Sequence, residues 1–163
     1  MDLNDPARLA RLILNSDRKL PKRQHKIAIF DPGESTGFVI FDGLKLIAAD
    51  VVQRPNLTDF LSQLEVDRVI AEDFRLFPGK AMKLSLNDIP AAKVLGIIEA
   101  WCHLNKFLFI KQPPGTGKAL ITNDFLIRLD FNLHDISGAK RPHILSALRH
   151  GLYYIIFKLS MEE

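Results

Sequence analysis

The chain has 163 residues, 22 Lys and Arg against 19 Asp and Glu, 47% apolar residues and one cysteine. This length suits one domain with a core large enough to fold alone, and a single cysteine excludes an intramolecular disulfide and a cysteine-built zinc site. The opening MDLNDPARL places acids where a secretory leader has basic residues, and no apolar run reaches the ~18 residues of a membrane span, so a non-secreted cytoplasmic protein is expected.

In chain order, an amphipathic helix is predicted from Asp5 to Asn15, followed by a basic connector to Gln24. Residues 1–30 hold seven Lys or Arg (Arg8, Arg11, Arg18, Lys19, Lys22, Arg23 and Lys26) against Asp2, Asp5 and Asp17, so the net positive charge is concentrated there. Such a segment is either a solvated linker or an arm that reaches nucleic-acid phosphates through Arg18, Lys19, Lys22 and Arg23. Residues 1–25 are therefore expected to form an N-terminal helix and arm, and residues 26–163 the main domain.

Three strands are predicted over Lys26–Phe30, Gly37–Phe41 and Lys45–Val52, with Asp42-Gly43 as the tight turn between the last two. A helix over Thr58–Leu64 and a fourth strand over Val66–Phe74 come next. A long helix runs from about Ile89 to Asn105, with Asp88 as its cap and Pro90 in its first turn, and a fifth strand spans Lys106–Lys111. Beyond Gly115 the pattern weakens until a final helix from Pro142 to about Leu159. Three hairpin-linked strands followed by strands alternating with helices imply an α/β domain with a mixed central sheet flanked by helices.

Two strand ends carry chemistry. The run KIAIF ends on Asp31 and turns on Pro32-Gly33, and VIA ends on Glu72. Either acid alone is an ordinary turn former or strand cap. Together, at one edge of a sheet, two carboxylates require compensation by a cation, either a metal ion or a basic side chain. Asp73 follows Glu72 and should point to the opposite face; Asp135 is a second candidate acid. His143, Ser146, Ala147 and His150 are spaced to share one face of the final helix.

Lys80, Lys83, Lys118 and Arg149 are candidate phosphate contacts, with solvated surface charges as the alternative. The segment PPGTGKA resembles a nucleotide-binding loop but has Gln112 where the first glycine belongs and Ala119 where Ser or Thr must follow the lysine. No nucleoside triphosphate is expected as a partner.

Taken together, IAIFDPGESTGFVIFDG, VDRVIAEDFRLF, the long helix followed by FLFIKQPP, and HILSALRHGLYY resemble the RuvC-like branch of the RNase H-like nuclease superfamily, to which many cellular and phage Holliday-junction resolvases belong. The resemblance covers about Lys26 to Lys158. It implies a five-stranded mixed sheet and acids from the first strand, the fourth strand and the last helix that bind two Mg²⁺ or Mn²⁺ ions. On this resemblance Asp31 would bridge the ions, Glu72 would hold one, and the protein would be a homodimeric endonuclease that cuts branched DNA.

The departure is at Ser146, where the family usually has the third acid. A hydroxyl cannot supply that negative charge. His143 could contribute a ligand or act as the acid that protonates the leaving group. Two alternatives stay open beside the resolvase: a nucleic-acid-binding protein on the same fold with weakened or lost cleavage, and an RNA-processing nuclease of the same superfamily.

Overall fold

The computed structural model describes residues 4–75, 89–131, 136 and 138–162. Lys80, Lys83, Asp88 and Asp135 lie outside the described residues.

Helix α1 (Pro6–Asn15) starts where Asp5 accepts a hydrogen bond from the Ala7 amide and Pro6 supplies a preset first turn. Its Leu9 and Ile13, one turn apart, are fully buried in the larger core, at roughly 1.5–3 kcal/mol of burial each. Just before it, the buried Asn4 side chain donates to the Leu44 carbonyl and accepts from the Leu46 amide, tying the N-terminal helix to the sheet.

The sheet contains β1 (Lys26–Asp31), β2 (Ser35–Asp42), β3 (Lys45–Gln53), β4 (Arg68–Glu72) and β5 (Leu108–Gln112) in the order β3-β2-β1-β4-β5. The first three strands are antiparallel meander partners, while β1, β4 and β5 run parallel. The fold is therefore the RNase H-like five-stranded mixed sheet that the sequence implied. The β2–β3 turn falls on Gly43-Leu44, one residue later than expected. Asp42 still pairs with Lys45, and Gly43 takes the positive φ of 59° that the turn needs.

The remaining described elements are α2 (Leu57–Ser62), α3 (Pro90–Asn105), α4 (Asn123–Arg128), α5 (Arg141–Tyr154), which runs on through a π turn (Ile155–Leu159), and α6 (Ser160–Glu162). Short 3₁₀ turns at Arg54–Asn56 and Gly138–Lys140 precede α2 and α5. No described helix is long and apolar enough to cross a membrane.

Strand parity divides the interior into two layers. Ile27, Ile29, Val39, Phe41 and Ile70 face the core beneath α1, α4 and α5. Ala28, Phe30, Phe38, Ile40, Val69 and Ala71 face the core beneath α2 and α3, which also takes Cys102 and, at its margin, Trp101. The central strand β1 is buried on both faces, which explains its unbroken apolar run.

Helix α5 lies unusually close to the sheet. A Cβ added at Gly37 would overlap the backbone of His143, and one at Gly151 would come within 3.0 Å of the Ile29 side chain. Two glycines, one on the sheet and one on the helix, thus set the approach of the helix that carries His143, Ser146 and His150.

Candidate active site

In the parallel register of β1 and β4, Phe30 pairs with Ala71, so the following residues, Asp31 and Glu72, lie side by side at the carboxyl edge. Both share strand parity with Ile29 and Ile70, so both carboxylates emerge toward α5. One strand further, Glu72 pairs with Gln112 at the end of β5. The sheet topology therefore delivers an Asp, a Glu and a Gln to one edge under one helix.

The face of α5 meets them. His143 Nδ1 lies 3.1 Å from Asp31 Oδ2. The Ser146 hydroxyl donates to Glu72 Oε2 at 2.9 Å, and His150 Nε2 lies 3.0 Å from the same oxygen. His150 is 1% exposed, and its Nδ1 sits 2.6 Å from Gln112 Oε1. With the amide in this orientation both ring nitrogens donate to oxygen; with the amide turned round, Gln112 donates instead. In either case Gln112, His150 and Ser146 hold Glu72 in one orientation.

The two carboxylates feel opposite fields. Burial raises the Asp31 pKa above the ordinary carboxylate value; the His143 hydrogen bond opposes this and the nearby Glu72 charge adds to it. Burial pushes Glu72 in the same direction, but there the hydrogen bonds from His150 and Ser146, with the charges of His150 and Lys118, outweigh it and bring its pKa down. Two acids at one edge with diverging affinities for a proton are a recurring mark of working sites.

Lys118 reaches this edge from the loop after β5. Gly115 and Gly117, with φ of 74° and 77°, fold that loop back on itself. A Cβ at Gly117 would come within 3.0 Å of the Arg149 carbonyl, so the loop sits directly on α5. Lys118, Thr116, Ser146, Arg149, His150 and Glu72 wall a cleft of about 290 Å³. Arg149 belongs to that wall, yet its guanidinium donates to the Ile121 carbonyl and Asn123 Oδ1, which fixes the loop before α4.

Asp31, Glu72, His143, Ser146 and Lys118 are thus brought together. Arg18 stacks over Phe157 at 4.6 Å. Lys22 and Arg23 line a separate cavity with Asp42, Gly43 and Lys45, at the opposite end of β1 from Asp31, and Lys19 is exposed. Asp73 is partnered by Arg75 at 3.6 Å. Gln112 is the site residue that sequence reasoning passed over, having weighed that position only as the missing glycine of a phosphate loop.

The carboxylates suit a hard divalent cation. Each has one oxygen engaged by α5 and a second, Asp31 Oδ1 or Glu72 Oε1, without a hydrogen bond among the described residues. Carboxylate oxygens are the donors that Mg²⁺ and Mn²⁺ prefer. Among the described residues no cluster of three or more His, Cys, Asp or Glu has the geometry of a metal site; the third group on this edge is the Ser146 hydroxyl, bonded to Glu72.

The chain has the fold of RuvC-like resolvases. It is similar to T. thermophilus RuvC in complex with a Holliday junction substrate, with a TM-score of 0.57 and 15% identity over 83% of this chain and 97% of that one. It is likewise similar to the Fowlpox virus resolvase, both in complex with substrate Holliday junction DNA (TM-score 0.59, 17% identity, 79% and 97% of the two chains) and in a second structure (TM-score 0.56, 20% identity, 80% and 96%). No protein-family model and no curated protein matches the chain.

Proposed function

We propose that this chain is a metal-dependent endonuclease that cleaves branched DNA in the manner of a Holliday-junction resolvase. The observation that carries the reading is the pairing of Asp31 and Glu72 on adjacent parallel strand ends, each with an oxygen turned free, under a helix that binds the other oxygen. The solved structures that share the fold include resolvases bound to junction DNA, which favours this substrate class.

Asp31 and Glu72 would hold Mg²⁺ or Mn²⁺, with Ser146 Oγ the donor left for the second ion of a pair. A divalent ion bound there supplies activation of a water and neutralisation of charge on the phosphodiester. The chain's own residues do the rest. His150, Gln112 and Ser146 keep Glu72 ionised and oriented. Lys118 places a positive charge on the same cleft to position a phosphate. His143 directs Nδ1 to Asp31, so that its outer nitrogen, on a side chain 40% exposed, can release a proton to the leaving oxygen.

A four-way junction has two-fold symmetry and resolution requires two cuts, so the working unit is a homodimer. Ser146 favours a second reading, a junction-binding protein with little cleavage, because its hydroxyl contributes no charge to the site. The experiment that separates these compares labelled four-way DNA junction, linear duplex and structured RNA in Mg²⁺, Mn²⁺ and EDTA. Junction-selective cleavage lost in EDTA supports the resolvase. Tight junction binding without cleavage supports the second reading, and selective cleavage of RNA would assign the site to RNA processing.

A further inference from the structure

We propose that the groove between α1 and α4 holds the sugar-phosphate backbone of a nucleic-acid strand, as a contact separate from the carboxylate edge. The partner class rests on the nuclease reading above; the groove itself is argued from its own residues. Arg8 and Arg11, one turn apart on α1, and Arg128, in the last turn of α4, converge over a floor that includes Leu12, Phe125 and Leu129. Part of the Arg8 charge is offset by Asp5 at 3.6 Å and Asp130 at 3.9 Å. Arg11 and Arg128 have no carboxylate partner among the described residues; Arg128 spends only its Nε, on the Asp124 carbonyl, and its terminal nitrogens remain available.

Guanidinium forks match phosphate oxygens in shape as well as charge, and an apolar floor containing an aromatic ring suits sugars and base faces. The walls are also rigid. Leu9 and Ile13 anchor α1, Asn4 bonds it to the β2–β3 hairpin, and Thr122 caps α4 by accepting from the Phe125 amide. Such walls lose little entropy when a ligand settles between them.

Placement adds a second line. Arg149 walls the Glu72 cleft and also grips Ile121 and Asn123 at the start of α4. Arg128 lies at the far end of that six-residue helix, about 7.5 Å along its axis from Asn123. The groove is thus built on the same short helix whose start Arg149 holds at the wall of the cleft.

The test is equilibrium binding of the full-length chain to a fluorescent four-way junction across a salt series, in Ca²⁺ or EDTA to prevent cleavage. Arg11→Ala and Arg128→Ala should each flatten the slope of log K against log salt by about 0.9 and weaken binding roughly eightfold at 0.1 M salt, the loss of one phosphate contact. Arg11→Lys, which keeps the charge, should keep the slope. Lys106→Asn, an equal loss of charge beside the opposite core layer, should leave both quantities unchanged. Equal slopes for wild type and both alanine variants would overturn the proposal, as would arginine-dependent binding of an acidic polypeptide with no effect on the junction. If the wild type binds no junction, duplex or RNA at any salt, the nuclease reading itself falls and this contact falls with it.

Discussion

At the scale of single residues, Asp31 and Glu72 make opposite contributions to stability, and this can be measured without substrate. Folding raises the proton affinity of Asp31, so its ionisation, as pH rises through the range above the ordinary carboxylate value, costs stability. Folding lowers that of Glu72, so Glu72 contributes stability above the ordinary value and loses it as pH falls through its lowered folded pKa. In EDTA at neutral pH, Asp31→Asn should therefore raise the denaturation midpoint and Glu72→Gln should lower it, with both differences shrinking in acid. A destabilised Asp31→Asn would contradict the assignment of Asp31 as an acid held against its preference for a functional purpose.

Ser146 invites the reverse substitution. If Asp31 and Glu72 form a metal site, Ser146→Asp returns the missing charge and should increase Mg²⁺-dependent cleavage by about tenfold or more. Unchanged cleavage with folding and junction binding preserved would mean that another group already fills the third position. Much of this residue-level picture was legible in the sequence because each acid ends an apolar run. Gln112 was not legible, since its contact with His150 spans 38 residues and exists only once α5 has docked on the sheet.

At the scale of elements, the site depends on how near α5 comes to β2. Gly37→Ala inserts a methyl group against the His143 backbone and should cost about 1–3 kcal/mol, as overpacking does. It should also move His143 off Asp31. Denaturant unfolding combined with the His143 ring signals in NMR would register both; an alanine accepted without loss would show that α5 has slack. The strands were readable because β1 and β4 are buried on both faces, which enforces unbroken apolar runs. Helix α4 was not read, because six residues are too few to establish a 3.6-residue period, although Thr122-Asn123-Asp124 was a usable start signal. The last helix was expected to run evenly to Leu159, whereas its end widens into a π turn. There Tyr154 and Glu162 share Arg68, with bonds of 2.6 and 2.8 Å to its guanidinium, a tether no periodicity reveals.

At the scale of the whole molecule, the crossover order β3-β2-β1-β4-β5 turns residues 41 apart in sequence into neighbours at one edge. The basic N-terminal region, read from sequence as an arm, divides between two places. Lys22 and Arg23 sit at the end of the sheet remote from the acids, while Arg8 and Arg11 line the groove against α4. If paired cuts require a two-fold assembly, sedimentation of the complex should give two chains per four-way junction. One chain per junction at saturation would contradict the dimer.

The measurement that bears most directly on the central claim is single-turnover cleavage of a labelled four-way junction in Mg²⁺ by the wild type, Asp31→Asn and Glu72→Gln, each first shown to bind the junction. Cleavage by the wild type and a loss of about a hundredfold or more in both variants are expected, because either substitution removes a charged oxygen donor from the same ion. Cleavage that survives both substitutions at the wild-type rate would contradict the claim and place the chemistry away from the edge where β1 and β4 end.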